Sequence, residues 1–222
     1  MSKQVAPVAS RTRAPRSRAS GLFALGRQTL AGLRLLLVLT VVLGVVYPLV
    51  VAGIGQLLFG WRADGSLVDA AGNHQSSVDS STVGSTLIGQ TFEGDEWFIG
   101  RPSAAGEGYD TLASAGSNLG PENPDLVASI KDRRREIAVR ESVQPGLVPA
   151  DALTASASGL DPHISAEYAT IQVARVAAAR DLDASTVAAL VDDHTSGRTL
   201  GILGEPRVNV LELNLALEGA VR

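Results

Sequence analysis

Residues 35–59, LLLVLTVVLGVVYPLVVAGIGQLLF, form the stretch around which the chain is organised. They contain no charged side chain. An α-helix rises about 1.5 Å per residue, so roughly 20 apolar residues span the hydrocarbon core of a bilayer. The stretch predicts a single N-terminal transmembrane helix, which we place at residues 31–60. It separates a basic head, residues 1–30, from a body, residues 61–222, and Trp61 marks the expected membrane interface.

This apolar run is typical of an uncleaved anchor. A signal peptide has an apolar region of about 7–15 residues, which is much shorter, and no A-x-A-like cleavage site follows here. Pro48 lies in the middle of the run and lacks a backbone N–H, so we expect a kink. Gly44, Gly53 and Gly55 would allow transmembrane packing against another helix. Alternatively, they reflect only the high frequency of glycine in membrane helices.

Charge is distributed unevenly along the chain. The segment before Leu35 holds seven of the 19 Lys and Arg residues and none of the 23 Asp and Glu residues. Basic flanks are retained in the cytoplasm, which predicts a cell-membrane protein with a cytoplasmic N-terminus and an extracytoplasmic body. The head, rich in Arg, Ser, Ala and Pro, is typical of a disordered segment. It is either a topology signal or also a contact for membrane lipid.

Several function classes are disfavoured by composition. The acidic body argues against nucleic-acid binding, which favours basic patches. The absence of cysteine excludes disulfides and thiolate metal sites. His74, His163 and His194 lie far apart and match no metal-binding spacing, so we expect no metal site.

The body combines helical patterns with short strand-like segments. Its residues 63–83 are polar and rich in Gly and Ser, which predicts a loop or linker with at most a short strand. The last apolar run predicts a strand entry at Val208 and a helix from about Val210. We therefore expect an α+β fold, a single transmembrane helix followed by one mixed α/β domain. The helices are predicted at residues 125–142, at Ala166–Arg180, and at Ser185–Asp192 with Ser185 as N-cap.

Two groups of polar side chains are candidate sites. Ser158, Asp161 and His163 lie in one loop and, taken alone, indicate a membrane-anchored extracytoplasmic hydrolase. No G-x-S-x-G elbow exists, however, and a single loop offers no scaffold that would orient a catalytic triad. The alternative is a hydrogen-bonded loop that leads to a helix capped by Ser165.

The second group lies on the helix that follows this loop. At about 100° per residue, Tyr168, Gln172 and Arg175 share one face. An amide and a guanidinium here would contact a partner or an anionic ligand. Equally, they would bind the carbonyl groups of neighbouring loops, as most such groups do.

Six phrases of the body stand out, in this order: GSTLIGQ (84–90), RPSA (101–104), GSNLGPENP (116–124), SASGLDPHIS (156–165), QVAR (172–175) and EPRVNVLELNLAL (205–217). Together they resemble the C subunit of the Kdp-type potassium-transporting P-type ATPase. The similarity covers about residues 35–222, keeps the order of the family's motifs and leaves the basic head outside. Ala166 departs from the pattern, which has proline at that helix start.

The resemblance implies a non-catalytic accessory subunit of a high-affinity potassium import complex. Its implied partners are a potassium-channel-like A subunit and an ATP-hydrolysing B subunit. The family is described as a catalytic chaperone that raises the pump subunit's affinity for ATP, with the region of residues 172–175 as the proposed nucleotide-linked feature. No tightly bound cofactor is implied, and ATP enters only through a ternary complex with the pump subunit.

Two features of the sequence bear on this expectation. The chain has no DKTGT-like phosphorylation loop, and neither Lys3 nor Lys131 follows a Walker A loop, so the chain itself is not the pump. The predicted topology also places the body outside the cell, where ATP is scarce. A direct ATP site in the body is therefore difficult to reconcile with the charge pattern.

Overall fold

The computed structural model describes residues 18–220. Predictions for residues 1–17, which include most of the basic head, lie outside this range. The chain divides into a unit that ends at Leu57 and a compact unit that begins at Leu58. The described part of the first unit is helical, and the second unit carries, among its described residues, the end of the apolar helix, two small sheets, four further α-helices and two 3-10 helices. The fold is therefore α+β with one long apolar N-terminal helix, as the sequence predicts.

The apolar run is helical up to Phe59, whose backbone angles (φ −140°, ψ 39°) are not helical. Helix α1, Arg18–Val41, continues through a π-helical turn, Val42–Val46, into α2, Tyr47–Ala63. Among the described residues, this is the one helix long and apolar enough to cross a membrane. Helix α1 begins well before residue 31, the start predicted from the sequence, because the preceding residues are mainly good helix formers such as Ala, Leu, Arg and Gln.

The π turn explains how Pro48 is accommodated. Proline removes one helical hydrogen bond, and its ring collides with the carbonyl of the residue four positions earlier, here Gly44. A wider turn immediately before Pro48 moves that carbonyl away. The distortion at Pro48 is therefore a π-helical turn.

The end of α2 is fixed by contacts to the first strands of the compact unit. The backbone N–H of Ser66 donates to the carbonyl of Trp61 at 2.9 Å, which closes the helix. The Trp61 indole Nε1 donates to the carbonyl of Leu67 at 2.7 Å. Its ring also stacks on His74, with ring centroids 3.6 Å apart. The tryptophan expected at the membrane interface is therefore also a structural part of the compact unit.

The first sheet lies where the sequence predicts a loop. Strand β1, Leu67–Asp69, pairs antiparallel with β2, His74–Gln75, and with β3, Thr82–Ser85. The Asp69 carboxylate accepts from the backbone N–H of Ala71 and of Asn73, which holds the tight connection between β1 and β2. The strands are too short and too polar to produce an alternating pattern, so the prediction of a loop or linker underestimates the order of this segment.

The later elements agree more closely with the predictions made from the sequence. Helix α4 is Ala166–Arg180, and the change from strand to helix falls at Val210, both as expected. The N-cap predicted at Ser185 is wrong: Asp183 caps α5, and its carboxylate accepts from the backbone N–H of Ser185 at 2.7 Å. The remaining α-helices and strands are α3 (Pro124–Arg140), β4 (His163–Ile164), α5 (Ala184–Asp193), β5 (Thr195–Ser196), β6 (Arg207–Asn209) and α6 (Val210–Ala220), with two 3-10 helices at Pro145–Leu147 and Ala150–Ala152. The second sheet is antiparallel with the order β4-β6-β5.

Residues 86–123 are fully described and form neither helix nor strand. Even so, this irregular segment enters the core, where Phe98 is completely buried in an apolar cluster to which α3, α4, α5 and α6 all contribute. A buried backbone without a sheet or helix needs other hydrogen-bond partners. These partners come from side chains of α4 and α6.

Candidate functional site

Two side-chain amides replace the missing strand partners in the core. Asn214 accepts from the backbone N–H of Phe98 and donates to its carbonyl, both at 2.9 Å. Gln172 does the same for Ile99, at 2.8 Å and 3.1 Å. Each amide thus copies the pair of bonds that an adjacent strand would make. We call Asn214, Gln172 and the backbone of Phe98 and Ile99 the amide clamp.

Burial makes the amide clamp energetically important. The exposed fraction is 0% for Gln172 and 1% for Asn214. A buried amide or peptide group without a partner is strongly unfavourable, whereas a paired one is tolerated. The clamp therefore fixes where the irregular segment can lie against α4 and α6.

Arginines of α4 hold the residues immediately before the clamp. Arg175 donates through Nη1 to the carbonyls of Asp95 and Trp97, at 2.6 Å and 2.9 Å. Arg180 donates through Nε to the carbonyl of Glu96 at 2.7 Å, and its guanidinium lies 4.3 Å from the centre of the Trp97 ring. Three consecutive carbonyls are therefore bound by two arginines of a single helix.

A buried carboxylate compensates the charge of Arg175. Glu141 has a fully buried side chain and accepts from Arg175 Nε at 2.9 Å and from Arg140 Nε at 2.7 Å. Arg140 also donates to the Tyr168 hydroxyl at 3.3 Å. Arg175 completes the network by donating to the Gln172 amide oxygen at 2.9 Å. A charge buried this deeply is stable only when it is paired and hydrogen-bonded, as it is here.

Burial and pairing shift the pKa of two groups in this network, Tyr168 and Arg140. Burial raises the pKa of Tyr168, so its hydroxyl remains protonated. Burial alone would lower the pKa of Arg140, but its hydrogen bond and charge pairing with Glu141 raise that pKa overall. Tyr168 and Arg140 therefore keep the hydrogen bond between them at neutral pH.

The structure brings the predicted Tyr168, Gln172 and Arg175 together, and it shows what they contact. Of the two alternatives left open by the sequence, contacts to loop backbone are the ones present. A nucleotide or partner contact at these residues stays a prediction, and it would have to break bonds to residues 95–99. Sequence reasoning missed Asn214, although a lone amide in an apolar helical run is a signal for a buried hydrogen bond. It also missed Glu141, because Glu141 lies 34 positions from Arg175 in sequence and no local pattern links the two residues.

The SASGLDPHIS loop has a different arrangement. The Asp161 carboxylate accepts from the backbone N–H of His163 at 3.0 Å, lies 3.2 Å from His163 Nδ1, and pairs with Arg101 Nη1 at 3.1 Å. Burial opposes its ionisation, but these bonds lower the pKa of Asp161 overall. The Ser158 hydroxyl accepts instead from the backbone N–H of Leu160 at 3.1 Å and lies 3.4 Å from the Ser156 hydroxyl. Within this fully described loop, Ser158 and His163 share no hydrogen bond, so the hydrolase alternative lacks the bond on which it depends.

The SASGLDPHIS loop packs closely against the irregular segment of residues 86–123. Gly159 has a φ of +67°, and a Cβ there would lie 2.6 Å from the carbonyl oxygen of Ala115 and 2.7 Å from the backbone nitrogen of Ala105. Ser165 caps α4 as expected, accepting from the backbone N–H of Tyr168 at 3.0 Å. The loop therefore positions the start of the helix that carries the amide clamp.

The other predicted site residues lie in the long apolar N-terminal helix. Gly44 is in the π turn, and Gly53 and Gly55 are in α2. A Cβ added at Gly44 or Gly53 would meet no atom within 4 Å, so the surface at both positions is open. Packing of another helix at these glycines stays a prediction. Across the described part of the chain, no three His, Asp or Glu side chains are grouped closely enough to hold a metal ion.

Comparison with known families identifies the chain's relatives. The family model described as "KdpC: K+-transporting ATPase, c chain" matches residues 29–219, which include both the apolar helix and the compact unit. The chain belongs to the KdpC family. The resemblance carried by the sequence motifs is thereby confirmed.

Individual KdpC relatives match over nearly their whole length. The chain is 57% identical to the potassium-transporting ATPase KdpC subunit of Kineococcus radiotolerans, over 87% of this chain and 94% of that protein. It is 52% identical to the subunit of the same name from Gemmatimonas aurantiaca, over 81% and 86% of the two chains. For the Mycobacterium bovis subunit the identity is 48%, over 86% and 98%.

The amide clamp makes a direct prediction about stability. Gln172→Leu leaves the N–H and carbonyl of Ile99 without partners, so we expect a loss of roughly 2–5 kcal/mol in the free energy of unfolding. The measurement is urea unfolding of the full chain in detergent, followed by tryptophan fluorescence. Thr170→Leu, an exposed position on the same helix, is the matched control and should change stability by less than about 0.5 kcal/mol. Equal effects of the two substitutions would contradict the clamp.

The Asp161 pairing predicts a pH dependence. Its pKa is lower in the folded chain than the ordinary value of 3.8. The ionised carboxylate therefore stabilises the fold above pH 3.8, and this contribution is lost as the pH falls through the lowered pKa. Asp161→Asn should reduce stability at pH 7 and flatten the loss of stability on acidification, measured by unfolding at a series of pH values. The exposed Glu107→Gln serves as control, and an acid profile for Asp161→Asn parallel to the wild type would disprove the assignment.

Proposed function

We propose that the chain is a non-catalytic accessory subunit of an ATP-driven, high-affinity potassium import complex. The observation that carries this proposal is the family match, which extends through the membrane helix and the compact unit alike. The relatives are themselves named as subunits of a potassium-transporting ATPase. The partners proposed for this chain are a potassium-channel-like A subunit and an ATP-hydrolysing B subunit, and its role is to stabilise their assembly.

The proposed topology follows from charge. Seven basic residues and no acidic residue precede Leu35, which favours a cytoplasmic N-terminus. Trp61 then lies at the opposite membrane interface, and the body is extracytoplasmic. In this orientation the chain crosses the membrane once and meets its partners both within the bilayer and outside it.

We further propose that the chain acts as a catalytic chaperone, raising the ATP affinity of the pump subunit indirectly. An extracytoplasmic body is separated from cytoplasmic ATP by the bilayer. Moreover, Gln172 and Arg175 are already bound to the chain's own loop backbone. Binding of this chain to one conformation of the complex would shift the complex toward that conformation, which would also bind ATP more tightly.

Thermodynamic linkage gives this proposal a quantitative test. If the chain raises ATP affinity by some factor, then ATP must raise the chain's affinity for the rest of the complex by the same factor. We expect a factor of about 5 to 150, typical of allosteric coupling. The two measurements are binding of a non-hydrolysable ATP analogue to the complex with and without this chain, and binding of the chain to the complex with and without the analogue.

Unchanged ATP affinity after removal of the chain would contradict the chaperone role. Attachment of a photoreactive ATP analogue to the chain near Tyr168 would instead favour direct nucleotide contact. Gln172→Leu provides a control for that outcome, because it removes an amide from the proposed contact, whereas Thr170→Leu on the same helix does not.

A further inference from the structure

A hairpin projects from the second sheet of the compact unit. Strands β5 and β6 pair antiparallel, with Ser196 opposite Arg207, and residues 197–206 connect them. All residues from 196 to 206 are exposed. The end is closed by two backbone bonds: Thr199 N donates to the Leu203 carbonyl at 2.9 Å, and Leu203 N donates to the Thr199 carbonyl at 3.0 Å. We call residues 199–203 the hairpin tip.

The hairpin tip exposes three large aliphatic side chains within four consecutive residues. The exposed fractions are 86% for Leu200, 75% for Ile202 and 57% for Leu203. Elsewhere among the described residues after Ala63, exposed large apolar side chains are separated in sequence. Single exposed apolar residues need no explanation, whereas a contiguous group is typical of an interaction site.

The backbone of the hairpin tip adds a second, independent observation. Leu200 has a φ of +54° and is followed by Gly201 with a φ of +75°. Two consecutive turn positions with positive φ favour Asn, Asp or Gly, because a residue with a Cβ and a branched side chain is strained in the left-handed region. Leu200 therefore combines backbone strain with exposure to water. Strain of this kind is concentrated at functional positions.

We propose that the hairpin tip inserts into an aliphatic pocket on another protein subunit of the potassium pump, with Leu200 and Ile202 as the anchoring side chains. This inference rests on the proposed function, which supplies the partner. A turn closed by its own hydrogen bonds is already organised for a fixed pocket, so little conformational entropy is lost on docking. Aliphatic anchors in such pockets form the energetic centre of many interfaces.

The charge of the hairpin tip and of the body favours a protein pocket over a lipid surface as the binding partner. Lipid-binding segments carry excess Lys or Arg and often an aromatic residue beside their apolar side chains. The hairpin tip, TLGIL, has neither. The flanking Arg198 and Glu205 form an ion pair with each other, and beyond residue 34 the chain has 12 basic and 23 acidic residues. An acidic body is repelled by anionic headgroups.

The natural absence of cysteine allows a direct test of docking. In the Ile202→Cys variant of the full chain, we measure the rate of reaction with a membrane-impermeant maleimide. Rates are compared for the chain alone in detergent, the chain alone in vesicles containing anionic lipid, and the assembled pump complex. Leu112→Cys is the matched control, since Leu112 is 97% exposed and lies outside the hairpin.

We expect the cysteine at position 202 to react at least about tenfold more slowly in the complex only, with little change at position 112. Slow reaction in vesicles without the other subunits would indicate lipid insertion and overturn the proposal. Unchanged reactivity in the complex, or equal protection at both positions, would also overturn it. Failure of the unmodified chain to assemble with pump subunits would instead overturn the proposed function, on which the inference rests.

A second variant separates docking from folding. Leu200→Asn suits the left-handed backbone, so the isolated chain should keep or raise its unfolding temperature. Its affinity for the other pump subunits should nevertheless fall by about tenfold or more, because an apolar anchor is lost. Unchanged affinity would contradict the proposal. A lowered unfolding temperature together with lost affinity would assign the hairpin tip a folding role, which also contradicts it.

Discussion

Two buried side-chain amides hold an irregular segment inside the core, and the rest of the compact unit depends on them. Asn214 and Gln172 supply four hydrogen bonds to the backbone of Phe98 and Ile99. Without them, Phe98 could fill the space between α4 and α6 only by burying unpaired peptide groups. The amides therefore allow a segment that forms neither helix nor strand to contribute a completely buried aromatic ring to the core.

In the arginine network, too, side chains bind the backbone of the irregular segment. This changes the interpretation of the candidate ligand residues. Arg175 binds two loop carbonyls, the Gln172 amide and the buried Glu141 carboxylate. A guanidinium with these partners resembles a ligand site in sequence but acts as a structural brace in the fold. The contacts of Arg175 are therefore contacts within the chain's own fold.

Local patterns predict the elements that depend on local physics. The apolar run, helix α4 and the strand-to-helix change at Val210 follow from composition, helix propensity and periodicity. The first sheet has strands of two to four residues, too short for any periodicity. The contact between Phe98 and Asn214 joins residues 116 positions apart, and no local rule couples them. The sequence thus identifies Tyr168, Gln172 and Arg175 as polar residues that bind other groups. Most of the groups that they bind lie far away in sequence and are identified only by the structure.

Native-state hydrogen exchange at Phe98 and Ile99 tests the amide clamp most directly. Both amide protons are donated to buried side-chain oxygens, so the account predicts that they exchange only through global unfolding, with protection close to that of α4 amides such as Val176. The irregular segment around Leu112, which is 97% exposed, should exchange rapidly in the same experiment. Exchange of Phe98 and Ile99 at the rate of residues near Leu112 would contradict the account.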